Sequence, residues 1–518
     1  MAGSVRELLE ANVAARPAAV AVTGGGVSRT WSELADRARK IAETFAGAGV
    51  RPQQRVVYLG SNSLDYFDVL FAAGLADLIF VPLNWRLSFR ELADIINDTR
   101  APLVIVDERF HEVTEQIEPL LEHAPQIVSL TPHPTWRDLW QWVDEREPAV
   151  SLPDVPADHV AFQLYTSGTT GRPKGVMFAN GTNVRTLLDD ISVEWGFTEA
   201  DVSMCCMPLF HMGGLAWALT GMARGARLVV ADFEPRGIVD LCRDEGVTAA
   251  FFVPAMIKAL LDVVDVERGL PQLRLVTYSG APIGRSLLAA AMKTFDCGFL
   301  QLYGMTEATG AFAQLDPEDH HPDGPRSYLL GSAGRCYPWV EVRVVDPATL
   351  TDLPRGDIGE IWTRSAQNMV GYFERPDETA KALTRDGWLR TGDVGYLDDE
   401  GYIFLRDRHK DVIITGGENV YPAEVENVLA AHPAVAEVAV IGVPDPKWGE
   451  TVTAVVVPAE GRTVDLADLK EFVRGQLAGF KCPTRLETVE SLPRTATGKI
   501  RKDVIREPFW RGHERNIN

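Results

Sequence analysis

Residues 165–176, with the sequence YTSGTTGRPKGV, combine glycines, hydroxyl side chains and one lysine in a pattern that suits phosphate binding. Glycines let backbone N–H groups approach an anion, and a lysine adds positive charge. This is not the common nucleoside-triphosphate loop, in which Gly-Lys is followed by Ser or Thr, because Lys174 is followed by Gly175. A flexible surface loop is the alternative, but so many threonines beside a lysine favour a phosphate site. The expected phosphate contacts are Thr166, Ser167, Gly168, Thr169, Thr170, Gly171 and Lys174.

The composition is that of an ordinary globular chain with room for more than one domain. It has 518 residues, of which 46% are hydrophobic, and a net charge of −21, which argues against binding to nucleic acid or to an anionic membrane.

Its six cysteines form no CxxC pair and indicate free thiols in a reducing compartment. The N-terminal segment is an amphipathic helix pattern and not a signal peptide. The apolar run at 69–83 is interrupted by Asp77 and is too short to span a bilayer. We therefore expect a cytoplasmic protein without a transmembrane segment.

The alternation of helical patterns and short β-branched strands predicts an α/β fold with more than one domain. Examples of such strands are RVVYLG at 55–60 and PLVIVD at 102–107, and the pattern continues to about residue 405. A dense run of charges at 398–411 is followed by a separate strand–turn–helix–strand pattern. We place a large N-terminal domain of layered sheets and helices at 1–408 and a small α+β domain at 409–518. The charged linker, which is not rich in Gly or Ser, indicates a defined hinge.

Seven separated stretches resemble, in order and spacing, the motif series of the adenylate-forming enzymes, and in particular acyl-CoA synthetases of the fatty-acid and coumarate ligase type. They are YTSGTTGRPKGV (165–176), PLFHMGG (208–214), SGAP (279–282), QLYGMTEATG (301–310), GWLRTGD (387–393), RDRHKDVIITGGENVYPAEVE (406–426) and PRTATGKI (493–500). The resemblance covers nearly the whole chain. It implies an active site on the face of the N-terminal domain and a mobile C-terminal lid. It also implies two steps, in which a carboxylate first attacks the α-phosphate of ATP and expels pyrophosphate. The thiol of coenzyme A then attacks the acyl-adenylate and releases AMP.

The resemblance assigns the nucleotide contacts to motif residues. Tyr303 is expected against the adenine, Thr306 at the α-phosphate and Arg408 at the ribose. Asp393 is placed to accept hydrogen bonds from the two ribose hydroxyls, which requires two acceptor oxygens. The remaining nucleotide contacts are expected at Gly280, Ala281, Pro282, Gln301, Leu302 and Gly304.

Catalytic roles fall to four residues by the same resemblance. Lys499 is expected to reach the carboxylate and the α-phosphate in the first step, a task that suits a flexible point charge. Glu307 and Thr166 are expected to hold Mg²⁺, for which a carboxylate is a suitable ligand. Taken alone, Glu307 would be no more than a helix cap. His211 is expected at the mouth of the acyl pocket as an aromatic gate, with a packed core histidine as the alternative.

The hinge and the two substrate channels complete the expected site. Lys410 matches the hinge position, and Gly416 and Gly417 match the segment that faces the pantetheine channel after the lid rotates. Two bulky residues expected in the acyl pocket, Trp217 and Leu302, favour a medium-chain fatty acid or a compact aryl acid over a long-chain fatty acid as the substrate. The alternative for Trp217 is that its side chain packs in the core, which is at least as common for a tryptophan as a place in a pocket. The expected pocket residues are His211, Gly213, Trp217 and Leu302.

Other functions share part of this motif series. A peptide-synthetase adenylation domain usually has Asp where this chain has His211, and no carrier-domain serine motif follows here. No motif distinguishes this chain from a luciferase-like oxygenase. A non-catalytic nucleotide-binding module, in contrast, would not need both Lys499 and Asp393. We expect an acyl-CoA synthetase that uses ATP, coenzyme A and Mg²⁺ on a small carboxylic acid. A stand-alone adenylation enzyme that passes the acyl group to a carrier protein is the alternative. The sequence leaves the acid and the quaternary state open, with a homodimer among the alternatives.

Overall fold

Helices and strands alternate along most of the chain, as the computed structural model shows. It describes residues 3–145, 151–166, 173–265, 269–280, 283, 285–346, 349–408, 413–420, 422–493, 500 and 502–511. The helices of these residues are α1 (Val5–Ala15), α2 (Trp31–Gly47), α3 (Leu64–Leu75), α4 (Phe89–Thr99), α5 (His111–Ile117), α6 (Leu139–Asp144), α7 (Ser192–Glu194), α8 (Met212–Ala223), α9 (Pro235–Asp244), α10 (Pro254–Leu261), α11 (Arg285–Phe295), α12 (Pro376–Ala382), α13 (Pro422–Ala430), α14 (Leu466–Arg474) and α15 (Lys502–Trp510). The strands are β1 (Val20–Gly24), β2 (Val27–Thr30), β3 (Arg55–Leu59), β4 (Ile79–Pro82), β5 (Leu103–Val106), β6 (Gln126–Ser129), β7 (Arg137–Asp138), β8 (Val160–Thr166), β9 (Lys174–Ala179), β10 (Val202–Cys205), β11 (Arg227–Val230), β12 (Ala249–Phe252), β13 (Leu275–Tyr278), β14 (Gly298–Met305), β15 (Gly310–Leu315), β16 (Arg335–Cys336), β17 (Glu341–Val345), β18 (Gly359–Arg364), β19 (Gly371–Tyr372), β20 (Trp388–Leu397), β21 (Ile403–Arg408), β22 (Ile413–Thr415), β23 (Glu418–Val420), β24 (Val435–Asp445), β25 (Gly449–Pro458) and β26 (Arg485–Thr488).

Two large sheets form the centre of the N-terminal domain. One has nine strands in the order β16-β15-β14-β13-β12-β10-β11-β1-β2, and the other has eight in the order β19-β9-β8-β4-β3-β5-β6-β7. Their central pairs run parallel, from β10 to β14 in the first sheet and from β3 to β8 in the second. Strands covered on both faces are apolar throughout, as LVIV in β5 and AAFF in β12 are. This confirms the predicted α/β class.

Apolar helices fill the space between these sheets. Nearly every residue of α3 and α8 is buried, as is typical of a helix that is apolar on all sides. Helix α3 contacts β1 of the nine-stranded sheet and both β3 and β4 of the eight-stranded sheet. Its one buried carboxylate, Asp68, is paired with Arg29 and Arg37 at 2.5 and 2.8 Å. Helix α8 starts directly after His211, so the core fixes the position of this residue.

A third sheet, of four antiparallel strands, carries Asp393. Its order is β17-β18-β20-β21, and its register pairs Asp393 with Arg408. Arginine and tryptophan side chains stack across it, with the Arg343 guanidinium 4.8 Å from the Trp362 ring and 4.2 Å from the Trp388 ring. Each such cation–π contact contributes about 0.5–1 kcal/mol at an exposed site and more when desolvated. These contacts stiffen the strand on which Asp393 lies.

The C-terminal domain (413–511) has a separate sheet and a separate core. Its five strands include the path β23-β22-β25-β24, with β26 beside β25. Helices α13 and α15 contact β24, and α14 contacts α13. This is the small α+β domain expected from the sequence. The expected boundary after residue 408 and the hinge at Lys410 stay predictions, because Lys410 lies outside the described residues. In the described part of the chain, no helix has the length and apolarity needed to cross a membrane.

Candidate active site

Strands β8 and β9 form a hairpin whose connection is the glycine-rich stretch. Thr166 ends β8, Lys174 begins β9, and the antiparallel register pairs the two residues. The hairpin therefore brings a hydroxyl and an ammonium to the same end of the sheet. The other phosphate contacts expected from this stretch lie outside the described residues; they are Ser167, Gly168, Thr169, Thr170 and Gly171.

The Lys174 ammonium lies among residues of a much later segment. Its Nζ donates to Oε2 of Glu378 at 2.6 Å and lies 5.0 Å from the centroid of the Tyr372 ring. The Tyr372 hydroxyl donates to Oε1 of Glu307 at 2.8 Å. Tyr372 thus links the expected phosphate lysine to the expected metal ligand. The sequence reasoning missed Tyr372 and Glu378, since neither belongs to one of the seven stretches.

Glu307 is a buried carboxylate on the short helical turn at 306–308, and only 9% of its surface is exposed. Thr306 begins the same turn. Burial raises the pKa of Glu307, while the hydrogen bond from Tyr372 and the charge of Lys174 act in the opposite direction. A positive charge beside this carboxylate would compensate its burial, and its role as a metal ligand stays a prediction.

A network of buried amides fixes the residues around this turn. The Gln367 amide nitrogen donates to the carbonyls of Ala308 and Ala311 at 2.8 and 2.9 Å. The Asn183 amide donates to the Thr309 hydroxyl at 3.0 Å. Asn183 lies in a π-helical segment, a feature frequently found at functional sites. Such a satisfied polar network holds the carboxylate-bearing turn in one conformation.

The residues expected at adenine and ribose are hydrogen-bonded to each other. The Tyr303 hydroxyl donates to Oδ2 of Asp393 at 2.7 Å, and both residues are 7% exposed. The bond joins β14 of the nine-stranded sheet to β20 of the third sheet. At Gly304, an added Cβ would lie 1.9 Å from the carbonyl oxygen of Gly310, so the close approach of β14 and β15 requires glycine. Arg408 is placed beside Asp393 by its backbone pairing.

Other expected nucleotide residues lie along the adjoining strand ends. Oε1 of Gln301 accepts a hydrogen bond from Tyr278 at 3.0 Å. The Leu302 carbonyl accepts one from Ser279 at 2.8 Å, beside Gly280. These bonds tie the end of β13 to β14. Ala281, Pro282 and Lys499 lie outside the described residues.

The two glycines expected at the pantetheine channel form the turn between β22 and β23, and this turn rests on the N-terminal domain. Gly416 and Gly417 have φ values of 58° and 82°, in the left-handed region that favours glycine. A Cβ on Gly417 would lie 3.4 Å from Cγ2 of Val253, and a Cβ on Gly416 would lie 2.8 Å from the Trp448 ring. A side chain at Gly416 would therefore require Trp448 to shift, whereas a Cβ at Gly417 would only touch Val253.

Glu418, directly after this turn, reaches the residue expected at the mouth of the acyl pocket. Its Oε2 lies 3.4 Å from Nε2 of His211, and its Oε1 is paired with Arg86. Burial by itself would raise the pKa of Glu418, but the charges and hydrogen bonds of His211 and Arg86 outweigh it and lower the pKa to about 2. His211 is 41% exposed at its side chain, which is not the environment of a packed core histidine.

A second ionic contact joins the two domains. Lys481 is 2% exposed, and its Nζ donates to Glu91 of α4 at 2.6 Å and to Glu424 of α13 at 2.8 Å. Burial would lower the pKa of Lys481, but the two carboxylates outweigh it and raise the pKa. Nearby, the Ser88 hydroxyl donates to the carbonyl of Gln476 at 3.0 Å. In the sequence, Glu91 stands out only as the glutamate of a Ser-x-x-Glu capping box that begins at Ser88.

Trp217, expected in the acyl pocket, makes the contacts of a core residue. It is fully buried, and its indole N–H donates to the Met204 carbonyl at 2.9 Å. Its ring packs against Trp195, Phe197 and Phe251, with centroid distances of 5.7, 4.7 and 5.7 Å. These contacts support the alternative weighed from the sequence, in which Trp217 packs in the core. The short acyl pocket therefore stays a prediction.

The other expected pocket residues lie close to this part of the core. Gly213 packs so tightly that a Cβ there would lie 3.1 Å from the Phe251 ring. Leu302 is 5% exposed and belongs to the same apolar cluster as Trp217. Their place in an acyl pocket stays a prediction.

The family profile described as AMP-binding enzyme matches residues 9–373, and the profile described as AMP-binding enzyme C-terminal domain matches residues 424–499. The chain is 39% identical over 510 residues to the fatty acid–[acyl-carrier-protein] ligase ScoC of Streptomyces coeruleorubidus, covering 97% of this chain and 96% of that protein. It is 38% identical over 505 residues to a feruloyl-CoA synthase of an Amycolatopsis species, covering 95% and 96%. The amide bond synthetase McbA from Marinactinospora thermotolerans has a similar structure, with a TM-score of 0.87 at 32% identity, and the match covers 98% of this chain and 100% of that one.

The two-domain fold and the site between its sheets define an enzyme that activates a carboxylate with ATP. The chain belongs to the AMP-binding, or adenylate-forming, enzyme family. It is a ligase of the acid–thiol type, and ATP and coenzyme A are the substrates of this class. The family, the fold class and the ligase activity predicted from the seven stretches are thereby confirmed. The roles of single residues stay predictions.

Proposed function

We propose that this chain activates a medium-chain fatty acid or a compact aryl acid as its acyl-adenylate and transfers the acyl group to coenzyme A. The observation that carries the proposal is the contact of Glu418 with His211. It brings the glycine turn of the C-terminal domain to the expected mouth of the acyl pocket. A thiol that attacks an acyl-adenylate needs a path to the carbonyl carbon between nucleotide and acyl group, and glycines line such a path without side chains.

The first step brings two anions together, so positioning and charge stabilisation carry most of the catalysis. Lys174 and Thr166 stabilise the phosphates from the hairpin, and Lys499 stabilises the reacting carboxylate and the α-phosphate. Asp393 holds the ribose, while Tyr303 lies against the adenine. The 2.7 Å bond between Tyr303 and Asp393 supports this assignment, because it holds both groups in one fixed arrangement.

Glu307 is a suitable ligand for Mg²⁺. The hydrogen bond from Tyr372 holds one carboxylate oxygen and orients the group, and the second oxygen of the carboxylate is the one that would bind the metal. Magnesium usually takes one or two protein carboxylates together with substrate phosphates. When bound, it would neutralise phosphate charge during attack by the carboxylate.

Transfer to a carrier protein is the alternative second step. It is favoured by the 39% identity to a ligase whose name specifies an acyl-carrier protein, whereas a relative at 38% identity is a CoA synthase. Both acceptors would present a thiol at the end of a pantetheine arm, so the glycine turn serves either. The acceptor therefore depends on surfaces outside the reacting centre.

Pyrophosphate exchange into ATP tests the first step. We expect exchange that depends on the added acid, measured across straight-chain fatty acids of increasing length and a set of aryl acids. Asp393→Asn serves as a control, because it keeps the shape but weakens acceptance from the ribose. Absence of exchange with every acid would contradict the proposal. Thioester formation with coenzyme A and with a phosphopantetheinylated acyl-carrier protein, compared on the best acid, identifies the acceptor.

A further inference from the structure

Lys174 is held by a carboxylate of a later segment of the same domain. Its Nζ lies 2.6 Å from Oε2 of Glu378, and the two side chains are only 12% and 21% exposed. Glu378 lies on α12, which follows β19, and β19 pairs directly with β9, the strand that begins with Lys174. The sheet therefore sets the two charges beside each other by a defined backbone path.

Glu378 is ionised where it meets Lys174. A second lysine, Lys381, donates to its other oxygen at 2.6 Å. The hydrogen bonds from Lys174 and Lys381, and their charges, lower the pKa of Glu378 to about 2. The contact is thus a charge-assisted hydrogen bond between full charges, which is stronger than a neutral one.

A triphosphate and Glu378 require the same ammonium. Lysine has three N–H donors, of which one is used by Glu378, while the face of the Tyr372 ring lies 5.0 Å from Nζ. Phosphates approaching Lys174 therefore meet a charge that Glu378 already compensates. Binding exchanges one ion pair for another, and only the difference between the two contributes to affinity.

We propose that Glu378 is the resting counter-ion of Lys174, a positioning residue that weakens the binding of triphosphate and of pyrophosphate. This inference rests on the proposed function, in which Lys174 contacts the phosphates. Its consequence for the reaction is faster departure of pyrophosphate, because Glu378 takes back the lysine as the leaving group moves away. Binding energy that holds the substrate and the transition state equally does not accelerate the chemical step, so weaker binding of the triphosphate need not slow it.

Glu378→Gln tests the proposal, since glutamine keeps the size and removes the charge. We expect pyrophosphate and Mg-ATP to bind the variant roughly twofold to tenfold more tightly by calorimetry, as suits a partly exposed ion pair. In the exchange assay the KM for pyrophosphate should fall without a matching rise in turnover. Glu374→Gln is the matched control: it removes the same charge four residues earlier, from a carboxylate that pairs with Arg100 at 2.8 Å.

Unchanged or weaker pyrophosphate binding in Glu378→Gln would overturn the proposal and indicate that Glu378 holds Lys174 in its productive position. Equal tightening in Glu374→Gln would also overturn it, as a general effect of net charge. If thermal unfolding shows that Glu378→Gln is not folded, Glu378→Asp shortens the carboxylate and should tighten binding in the same direction. Pyrophosphate binding requires no carboxylic acid substrate. The calorimetric measurements can therefore still be interpreted if no acid supports exchange and the proposed function fails.

Discussion

Replacing Glu91 with glutamine removes one of the two carboxylates on Lys481 and leaves the rest of the domain contact in place. Glu91 uses Oε1 for Lys481 and Oε2 for the backbone N–H of Ser88, so glutamine, with one acceptor oxygen, keeps a neutral acceptor on Lys481 only by giving up the bond from Ser88. Glu424 stays on Lys481, so the buried lysine is not left without a negative partner. Because Glu91 belongs to the N-terminal domain and Lys481 to the C-terminal domain, the change acts on their docking.

The size of the effect follows from the geometry. The bond lost is a charge-assisted hydrogen bond of 2.6 Å between side chains that are 3% and 9% exposed. Hydrogen bonds to charged groups contribute about 1.5–3 kcal/mol, and a neutral acceptor in the same place about 1 kcal/mol. The docked orientation therefore loses about 1–2 kcal/mol, which corresponds to a factor of roughly 5–30 in its population.

Separate assays of the two half-reactions measure this shift. The docked orientation presents the glycine turn, so thioester formation from synthetic acyl-AMP and coenzyme A should slow by up to about 5–30-fold. Exchange of pyrophosphate into ATP should change little. Glu424→Gln is the control, because Glu424 moves with Lys481 and its loss should lower the stability of the C-terminal domain without separating the half-reactions. An equal loss in both half-reactions of Glu91→Gln would refute the reasoning.

Further predictions concern the motif residues. Lys499→Ala should slow adenylation by about 10²–10³-fold and spare thioester formation from acyl-AMP; equal losses would argue against two lid orientations. Lys410→Pro, which fixes φ near −65°, should preserve one half-reaction and abolish the other, whereas similar modest losses would move the hinge elsewhere. Glu307→Gln should raise the magnesium concentration needed for half-maximal exchange, and an unchanged magnesium dependence would place the metal ligand elsewhere. Leu302→Gly should move the optimum of a fatty-acid series to longer chains if Leu302 limits the pocket. Trp217→Ala, given its core contacts, should instead lower stability by about 3–5 kcal/mol in thermal or denaturant unfolding and leave the optimum where it is.

The sequence was informative where a short motif and its fold coincide. Thr166 and Lys174 flank one hairpin, so their proximity follows from the spacing of a single stretch. Glu307 lies on the turn that directly follows β14, so one motif brings Tyr303 and Glu307 to the same strand end, while the role of Glu307 as a metal ligand stays a prediction. The alternating strands and helices likewise predicted the class of the fold, because buried parallel strands are apolar throughout.

Contacts between distant segments could not be predicted in this way. Glu378 contacts Lys174, which is 204 residues away in sequence, because the two-residue strand β19 pairs with β9. A strand this short leaves no periodic pattern in the sequence. Lys481 and Glu91 are 390 residues apart, and each has an ordinary local role in its own segment. For Trp217, the motif predicted a place in the acyl pocket, whereas in the structure the side chain packs in the core. The sequence could not distinguish the two, because an apolar side chain suits both environments.

The docked turn at 416–418 also bears on how much product is formed for each ATP consumed. An acyl-adenylate is a mixed anhydride, which water can hydrolyse in competition with attack by the thiol. Glu418, 8% exposed at its side chain and held by Arg86 and His211, lies at the expected mouth of the acyl pocket, where it would limit the access of solvent to the carbonyl carbon. Excluding water from a reactive intermediate suppresses its side reactions. The ionic contacts that dock the C-terminal domain would then protect the yield of the second step, and a loosened turn would consume ATP while releasing free acid.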